Sequence, residues 1–205
     1  MKKWYIILIV ILIFGLGAYY FISWPKNEDN KNKDNNMEKV NEKATANPRA
    51  TIETSMGNIT VELYPDDAPK TAANFIGLAK KGYYDGVTFH RVVSGFVIQG
   101  GDPTGTGSGG DSIYGGEFED EFNPNTESYQ RGYLKGTVAM ANRGPDTNSS
   151  QFFIMLEDKS LPKLYTIFGK VIEGDEVVQN IGQAQVDAND KPLKSIIINK
   201  VIVQE

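Results

Sequence analysis

From Trp4 to Pro25 the chain carries no charged side chain, and no other feature constrains it as strongly. The stretch reads WYIILIVILIFGLGAYYFISWP and has no polar face, so it does not suit a helix packed on a globular core. A helix of roughly 20 apolar residues crosses a hydrocarbon core of about 30 Å. Trp4 and Tyr5 at one end, and Tyr19, Tyr20 and Trp24 at the other, are spaced like interfacial aromatics. Lys2 and Lys3 precede the stretch and predict a cytoplasmic N-terminus with the remainder exported. A cleaved signal peptide would need a shorter apolar region ending in a small-x-small site. Here the run ends in bulky residues, and the first Ala-x-Ala downstream is Ala44-Thr45-Ala46, about 20 residues too late. The expectation is a retained transmembrane helix over residues 1–25, single-pass in the cell membrane. Secretion after cleavage is the alternative.

Residues 26–49 are rich in Asn, Lys, Asp and Glu and hold almost no large apolar side chain. Six basic and five acidic residues nearly cancel. Such a segment cannot bury a core and is expected to be a flexible linker. Its r.m.s. reach as a coil is about 25–30 Å.

Residues 50–205 are mixed in composition and long enough for one well-buried core. They carry 13 Lys+Arg against 21 Asp+Glu, a net charge of −8, which argues against nucleic acid or an anionic membrane surface as a partner of this part. There is no cysteine, so disulfides, thiolate metal sites and cysteine nucleophiles are excluded.

Short strand-like runs follow one another here, separated by Gly, Pro, Asn and Asp. Thr51–Thr54 and Asn58–Leu63 alternate apolar and polar residues around Ser55-Met56-Gly57, which reads as a hairpin. Val87–Val93, Phe96–Gln99, Thr137–Ala141, Gln151–Met155, Thr166–Val171 and Ser195–Val203 are further strands. The continuous apolar run Ile196-Ile197-Ile198 predicts that one end of the last strand is the more deeply buried. Lys70–Lys81 follows Pro69, ends at Gly82 and carries an apolar stripe of Ala72, Phe75, Ile76 and Ala79, so it reads as a helix. Asp175–Ile181 reads as a second, with Asp175 as N-cap. Eight strands and two helices predict a mainly β fold, a closed eight-stranded antiparallel β-barrel capped by two α-helices. The Gly- and Asp-rich section 102–132 is expected to be a long loop that builds a site.

Two blocks carry the chemistry. FHRVVSGFVIQGGD spans Phe89–Asp102, and MANRGPDTNSSQFFI spans Met140–Ile154. With FEDEF (Phe118–Phe122) and IFGKVIEG (Ile167–Gly174), they resemble the cyclophilin family of peptidyl-prolyl cis-trans isomerases, in bacterial-type form. The resemblance covers Ala50–Glu205 and keeps the order of the motifs. It implies catalytic roles for Arg91 and Gln99, with Gln99 orienting the arginine. It implies a proline pocket lined by Phe96, Val97, Phe153 and Leu161, with Ala141, Asn142, Gln151 and Tyr165 completing the substrate-binding surface. Gly107 and Gly109 match a glycine-rich loop beside a secondary pocket, and Arg143 stands at its rim where alanine is usual. Ser160 stands where cyclosporin-sensitive members carry tryptophan, which predicts weak cyclosporin binding.

These residue types suit the reaction the resemblance implies. Rotation about an X-Pro bond meets a barrier of about 18–20 kcal/mol from amide resonance and breaks no covalent bond. An apolar slot for the ring and a permanently charged donor near the prolyl nitrogen are enough, and a guanidinium keeps its proton. No cofactor or metal is expected. His90 is the only histidine and lacks a second ligand, so it reads as a structural side chain. Glu117, Glu119, Asp120 and Glu121 lack the spacing of a calcium loop and read as a solvated turn. Gly105-x-Gly107-x-x-Gly110 matches a dinucleotide fingerprint in form only, since no βαβ unit surrounds it. The expected partners are proline-containing polypeptides, and the domain is expected to be monomeric. Two other functions use the same features: a module that grips proline segments without turnover, and a scaffold in an envelope complex.

Overall fold

The computed structural model describes residues 46–205. The anchor and nearly all of the linker lie outside the described residues. Among those residues no helix is long and apolar enough to cross a membrane.

Eight strands form one sheet: β1 (Arg49–Thr54), β2 (Gly57–Leu63), β3 (Arg91–Val93), β4 (Val97–Gly100), β5 (Thr137–Met140), β6 (Phe152–Met155), β7 (Ile167–Glu173) and β8 (Ile198–Gln204). Their order is β3-β4-β6-β5-β7-β2-β1-β8, and every pairing is antiparallel. The expected β1–β2 hairpin is present, with Thr54 opposite Gly57.

The ladder is not the regular closed barrel that was expected. Its ends, β3 and β8, are joined only through an isolated bridge between Thr88 and Ile197 and its flanking bonds. Phe89 N–H donates to Ile196 O at 2.9 Å, and Ile198 N–H donates to Val87 O at 2.7 Å. The expected strand Val87–Val93 is shortened: only Arg91–Val93 is regular, and Thr88 makes isolated bridges to Asp102 and Ile197. Phe89 and His90 are both buried, which in an extended chain needs cover on both sides. Phe89 enters the core, while His90 lies under Gly107 of the glycine-rich loop. In the Ile196-Ile197-Ile198 run the outer two are buried and Ile197 is exposed, so the run alternates rather than sinking at one end.

Among the described residues three helices accompany the sheet rather than two. Helix α1 (Pro69–Lys80) starts on its proline and is followed by Gly82 at φ 68°, as its punctuation predicts. It buries Thr71, Ala72, Asn74, Phe75, Leu78 and Ala79, with Leu78 more deeply placed than the expected Ile76. Helix α2 (Glu127–Arg131) lies inside the section expected to be loop. Helix α3 (Asp175–Gly182) is capped by Gly174, not Asp175. Gly174 adopts φ 83°, ψ 26°, and a side chain there would run into the backbone of Asn58 and Ile59. Asp175 is instead the first helical residue, where its charge favours the helix N-terminus.

Side chains alternate between two apolar clusters. The larger contains Val92, Ile98, Val138, Phe152, Ile154 and Phe168, together with Phe75 of α1 and Tyr84. Phe75 packs edge-on to Phe152 at 5.5 Å and tilted on Tyr84 at 5.1 Å. The smaller holds the intervening residues Val97, Ala139, Phe153, Met155 and Ile167, together with Tyr64 and Tyr133. This second face carries the site.

Candidate functional site

Strand register builds the site as a row. Arg91 on β3 pairs with Gln99 on β4, Gln99 with Phe153 on β6, and Phe153 with Ala139 on β5. Facing residues in adjacent strands lie on the same side of a sheet. One guanidinium, one amide and one aromatic ring are therefore set side by side, although 62 residues separate the first from the last in sequence (153 − 91).

Phe153 and Val97 are buried and form the floor. Phe96, Ala141, Leu161 and Tyr165 are half-buried and pack against that floor as walls. The Tyr165 ring meets Phe153 edge-on, with centroids 5.4 Å apart at 89°. Tyr133 pins Tyr165 from behind: its hydroxyl donates to Tyr165 O at 2.9 Å and accepts from Tyr165 N–H at 3.0 Å. The result is an apolar depression with a cation at one side.

Arg91 is partly exposed and held at two points. Its Nη1 donates to Gln99 Oε1 at 3.4 Å, and its Nε lies 3.6 Å from Asp190 Oδ2. Gln99 Nε2 donates in turn to Gln151 Oε1 at 2.9 Å. Gln151 Nε2 donates to Gly107 O at 3.1 Å and Gly109 O at 2.7 Å. Gly107 and Gly109, expected beside a secondary pocket, thus meet the Arg91–Gln99–Phe153 row through Gln151.

Arg143 lies over that loop. Its guanidinium pairs with Glu117 at 2.6 Å and donates to Ser108 O at 3.4 Å. The Asn142 amide donates to Leu164 O at 2.7 Å and to Asp120 Oδ1 at 3.3 Å, so its side chain braces the loops around the pocket. Asp120 also accepts from Asn148 Nδ2 at 2.8 Å and from Asp146 N–H at 2.9 Å. The acidic cluster is thereby given structural work. Glu121 accepts from the first helical N–H groups of α1, Lys70 at 2.9 Å and Thr71 at 2.7 Å, and Glu119 pairs with Lys70.

Sequence reading missed two carboxylates. Asp190 faces Arg91 from a turn outside the motif blocks, and Val92 N–H bonds to its backbone oxygen at 2.8 Å. Asp102 is buried at the root of the glycine-rich loop. Burial pushes its carboxyl upward, but bonds from the Thr104 hydroxyl and backbone and from the Gly109 and Gly107 N–H groups outweigh this and hold it well below the usual carboxylate range. His90, nearby, makes no hydrogen bond of ordinary geometry through either ring nitrogen among the described residues. Burial lowers its basicity, while Asp102 and the Thr88 backbone oppose the shift. A cavity of about 80 Å³ lined by Tyr64, Arg131, Leu134 and Lys170 includes none of the row or its walls.

The chain is similar to known proteins over these described residues. The family model of cyclophilin-type peptidyl-prolyl cis-trans isomerases matches residues 49–203. A peptidyl-prolyl cis-trans isomerase of Arabidopsis thaliana is 51% identical over 152 residues, covering 74% of this chain and 90% of that protein. A protein of Staphylococcus haemolyticus described as a peptidyl-prolyl cis-trans isomerase is 41% identical, covering 77% of this chain and 91% of its own. The crystal structure of a Cryptosporidium parvum cyclophilin-type isomerase in the presence of the dipeptide Ala-Pro superposes with a TM-score of 0.71 at 40% identity, covering 77% of this chain and 99% of that one.

Proposed function

The chain belongs to the cyclophilin-type peptidyl-prolyl cis-trans isomerases, and from that premise we propose that it turns over X-Pro bonds of exported polypeptides at the outer face of a cell membrane. The row Arg91–Gln99–Phe153 carries the catalytic part of this reading. Phe153, Val97, Phe96 and Leu161 hold the prolyl ring, and Arg91 stands at the edge of that slot. Twisting the amide localises a lone pair on the prolyl nitrogen. A guanidinium N–H aimed there stabilises the twisted state more than either planar state, which is what lowers a barrier. Gln99 fixes the aim by accepting from Nη1. Ala141 and Asn142 offer backbone to the substrate, since the Asn142 side chain is already engaged.

The membrane part of the reading rests on the uncharged stretch Trp4–Pro25 behind Lys2 and Lys3. The polar linker would let the domain reach clients about 25–30 Å away. The bacterial setting is supported by the Asn- and Lys-rich linker and by similarity to a staphylococcal protein.

Full-length protein in mild detergent should isomerise an X-Pro tetrapeptide, and Arg91→Ala should lower kcat/KM by roughly 10²- to 10³-fold. Undiminished turnover by the variant would overturn the mechanism. Binding of a proline peptide without turnover by the parent protein would favour a non-catalytic module. For location, protease added to intact spheroplasts should remove the domain, and its protection there would sink the exported reading.

A further inference from the structure

We infer that Asp102 is a positioning residue for Arg91, acting through the glycine-rich loop and two glutamines; the inference rests on the catalytic reading of Arg91 above. The argument turns on amide polarity. A glutamine amide can present either its oxygen or its NH₂ group to a neighbour, and only the surrounding bonds decide which.

At Gln151 the decision is forced. Its Nε2 faces two backbone carbonyls, Gly107 O at 3.1 Å and Gly109 O at 2.7 Å. Both are acceptors, so the NH₂ group must point to them and Oε1 must point away. Oε1 then faces Gln99, which can answer only with its own NH₂ at 2.9 Å. That leaves Gln99 Oε1 on the side of Arg91 Nη1, at 3.4 Å. Were Gln99 reversed, its NH₂ would face a guanidinium, donor against donor. The orientation that lets Gln99 hold the arginine is therefore set two residues away, by two glycine carbonyls.

Asp102 aims those carbonyls. The loop winds around its buried carboxylate. Oδ1 accepts from Thr104 N–H at 2.8 Å, and Oδ2 from Thr106 N–H at 3.0 Å, Gly107 N–H at 2.7 Å and Gly109 N–H at 3.2 Å. The Thr104 hydroxyl adds a bond of 2.8 Å. Gly107 and Gly109 each give their N–H to Asp102 and their carbonyl to Gln151, so each glycine couples the two side chains through its own peptide units. Gly107 needs its φ of 83°, and a side chain on Gly109 would run into the Asp102 carboxylate. Residues assigned by resemblance to a secondary pocket thus also serve the catalytic row.

The test is a double-mutant cycle in the full-length protein with Asp102→Asn and Gln151→Met. Asp102→Asn places an NH₂ group among N–H donors. Gln151→Met removes both the NH₂ group that meets the glycine carbonyls and the oxygen that orients Gln99. Each should lower kcat on the order of 10-fold, with KM changed less than two-fold in Asp102→Asn. The double variant should lose no more than the worse single, because both break one path. In NMR spectra the Gln99 side-chain NH₂ protons should lose their dispersion and exchange protection in both. Should Asp102→Asn fail to fold, Thr104→Val, at an exposed position, carries the same cycle with a smaller loss. A loop that serves only structure would lower Tm and leave kcat and the Gln99 signals unmoved, and that result overturns the inference, as does multiplicative loss in the double variant. Turnover that survives Arg91→Ala would instead remove the reading of Arg91, while the Gln99 signals would still report whether Asp102 sets the relay.

Discussion

Asp190 adopts φ 61°, a left-handed conformation uncommon for any residue but glycine, and its carboxylate lies 3.6 Å from Arg91 Nε. Both side chains are partly exposed, so the pair is worth at most about 1 kcal/mol and is screened by salt. Asp190→Gly would relax the backbone and leave the bond from Val92 N–H to the residue 190 carbonyl in place. The variant should therefore be at least as stable as the parent, yet about 3-fold slower on an uncharged tetrapeptide at low ionic strength. The gap should close as salt rises, because the parent loses the pair it depends on. A gap independent of salt would remove the electrostatic account. Ser160 makes a second case at this scale. It is exposed beside the half-buried Leu161 and offers neither an indole N–H nor an apolar face. Cyclosporin should bind weakly and Ser160→Trp should tighten it, whereas a submicromolar Kd for the parent chain would contradict this. Arg91, Gln99 and Phe153 were legible because each sits inside a long motif. Asp190 was not, because its one signal is the turn composition Asp187-Ala188-Asn189-Asp190, which says where the chain bends but not what the bend will face.

Helix α1 shows what is and is not legible at the scale of an element. Pro69, Gly82 and the apolar spacing predict its limits to within one residue of those observed. Nothing local reveals its cap: Ala68 at the N-cap has no side chain to offer, and the N–H groups of Lys70 and Thr71 are taken by Glu121, about 50 residues on. A charge that reads as part of a solvated acidic turn is thus a distant cap that ties α1 to the loop whose Asp120 accepts from Asn142. Glu121→Ala should cost about 1–2 kcal/mol in urea unfolding, and Glu121→Gln less, since an amide oxygen still accepts one bond. Equal stability of Glu121→Ala and the parent would show that water replaces the carboxylate freely. Helix α2 was missed for a related reason. Its five residues are too few to show a period, and its cap, the Thr126 hydroxyl accepting from Tyr129 N–H, is embedded in loop-like composition. The strand expected over Val87–Val93 is reduced to Arg91–Val93, with Thr88 held in isolated bridges to Asp102 and Ile197 that alternation alone does not encode.

At the scale of the whole molecule, the two titratable groups beneath the glycine-rich loop make stability depend on pH in separate windows. Burial of His90 penalises its charged form, and among the described residues no hydrogen bond of ordinary geometry reaches either ring nitrogen, so folding favours the neutral form. The unfolded chain takes up that proton from about pH 6.5 downward, so the contribution of His90 is full above this value and is lost as the pH falls below it. Asp102 has the opposite charge and a later window. Its folded carboxyl is held well below the usual range, so its contribution is full above about pH 4 and is lost as the pH falls further. The melting temperature should be flat from about pH 8 to 7, decline gently between about pH 6.5 and 5, and fall more steeply below about pH 4 as other carboxylates join Asp102. His90→Gln cannot take up a proton, so it should abolish the gentle decline and leave the steep one. Because native His90 stays neutral through this window and only the unfolded chain takes up the proton, kcat at temperatures well below melting should stay flat where the melting temperature gently declines. A melting curve for His90→Gln that parallels the parent between about pH 7 and 5 would show that the histidine is not the group responsible.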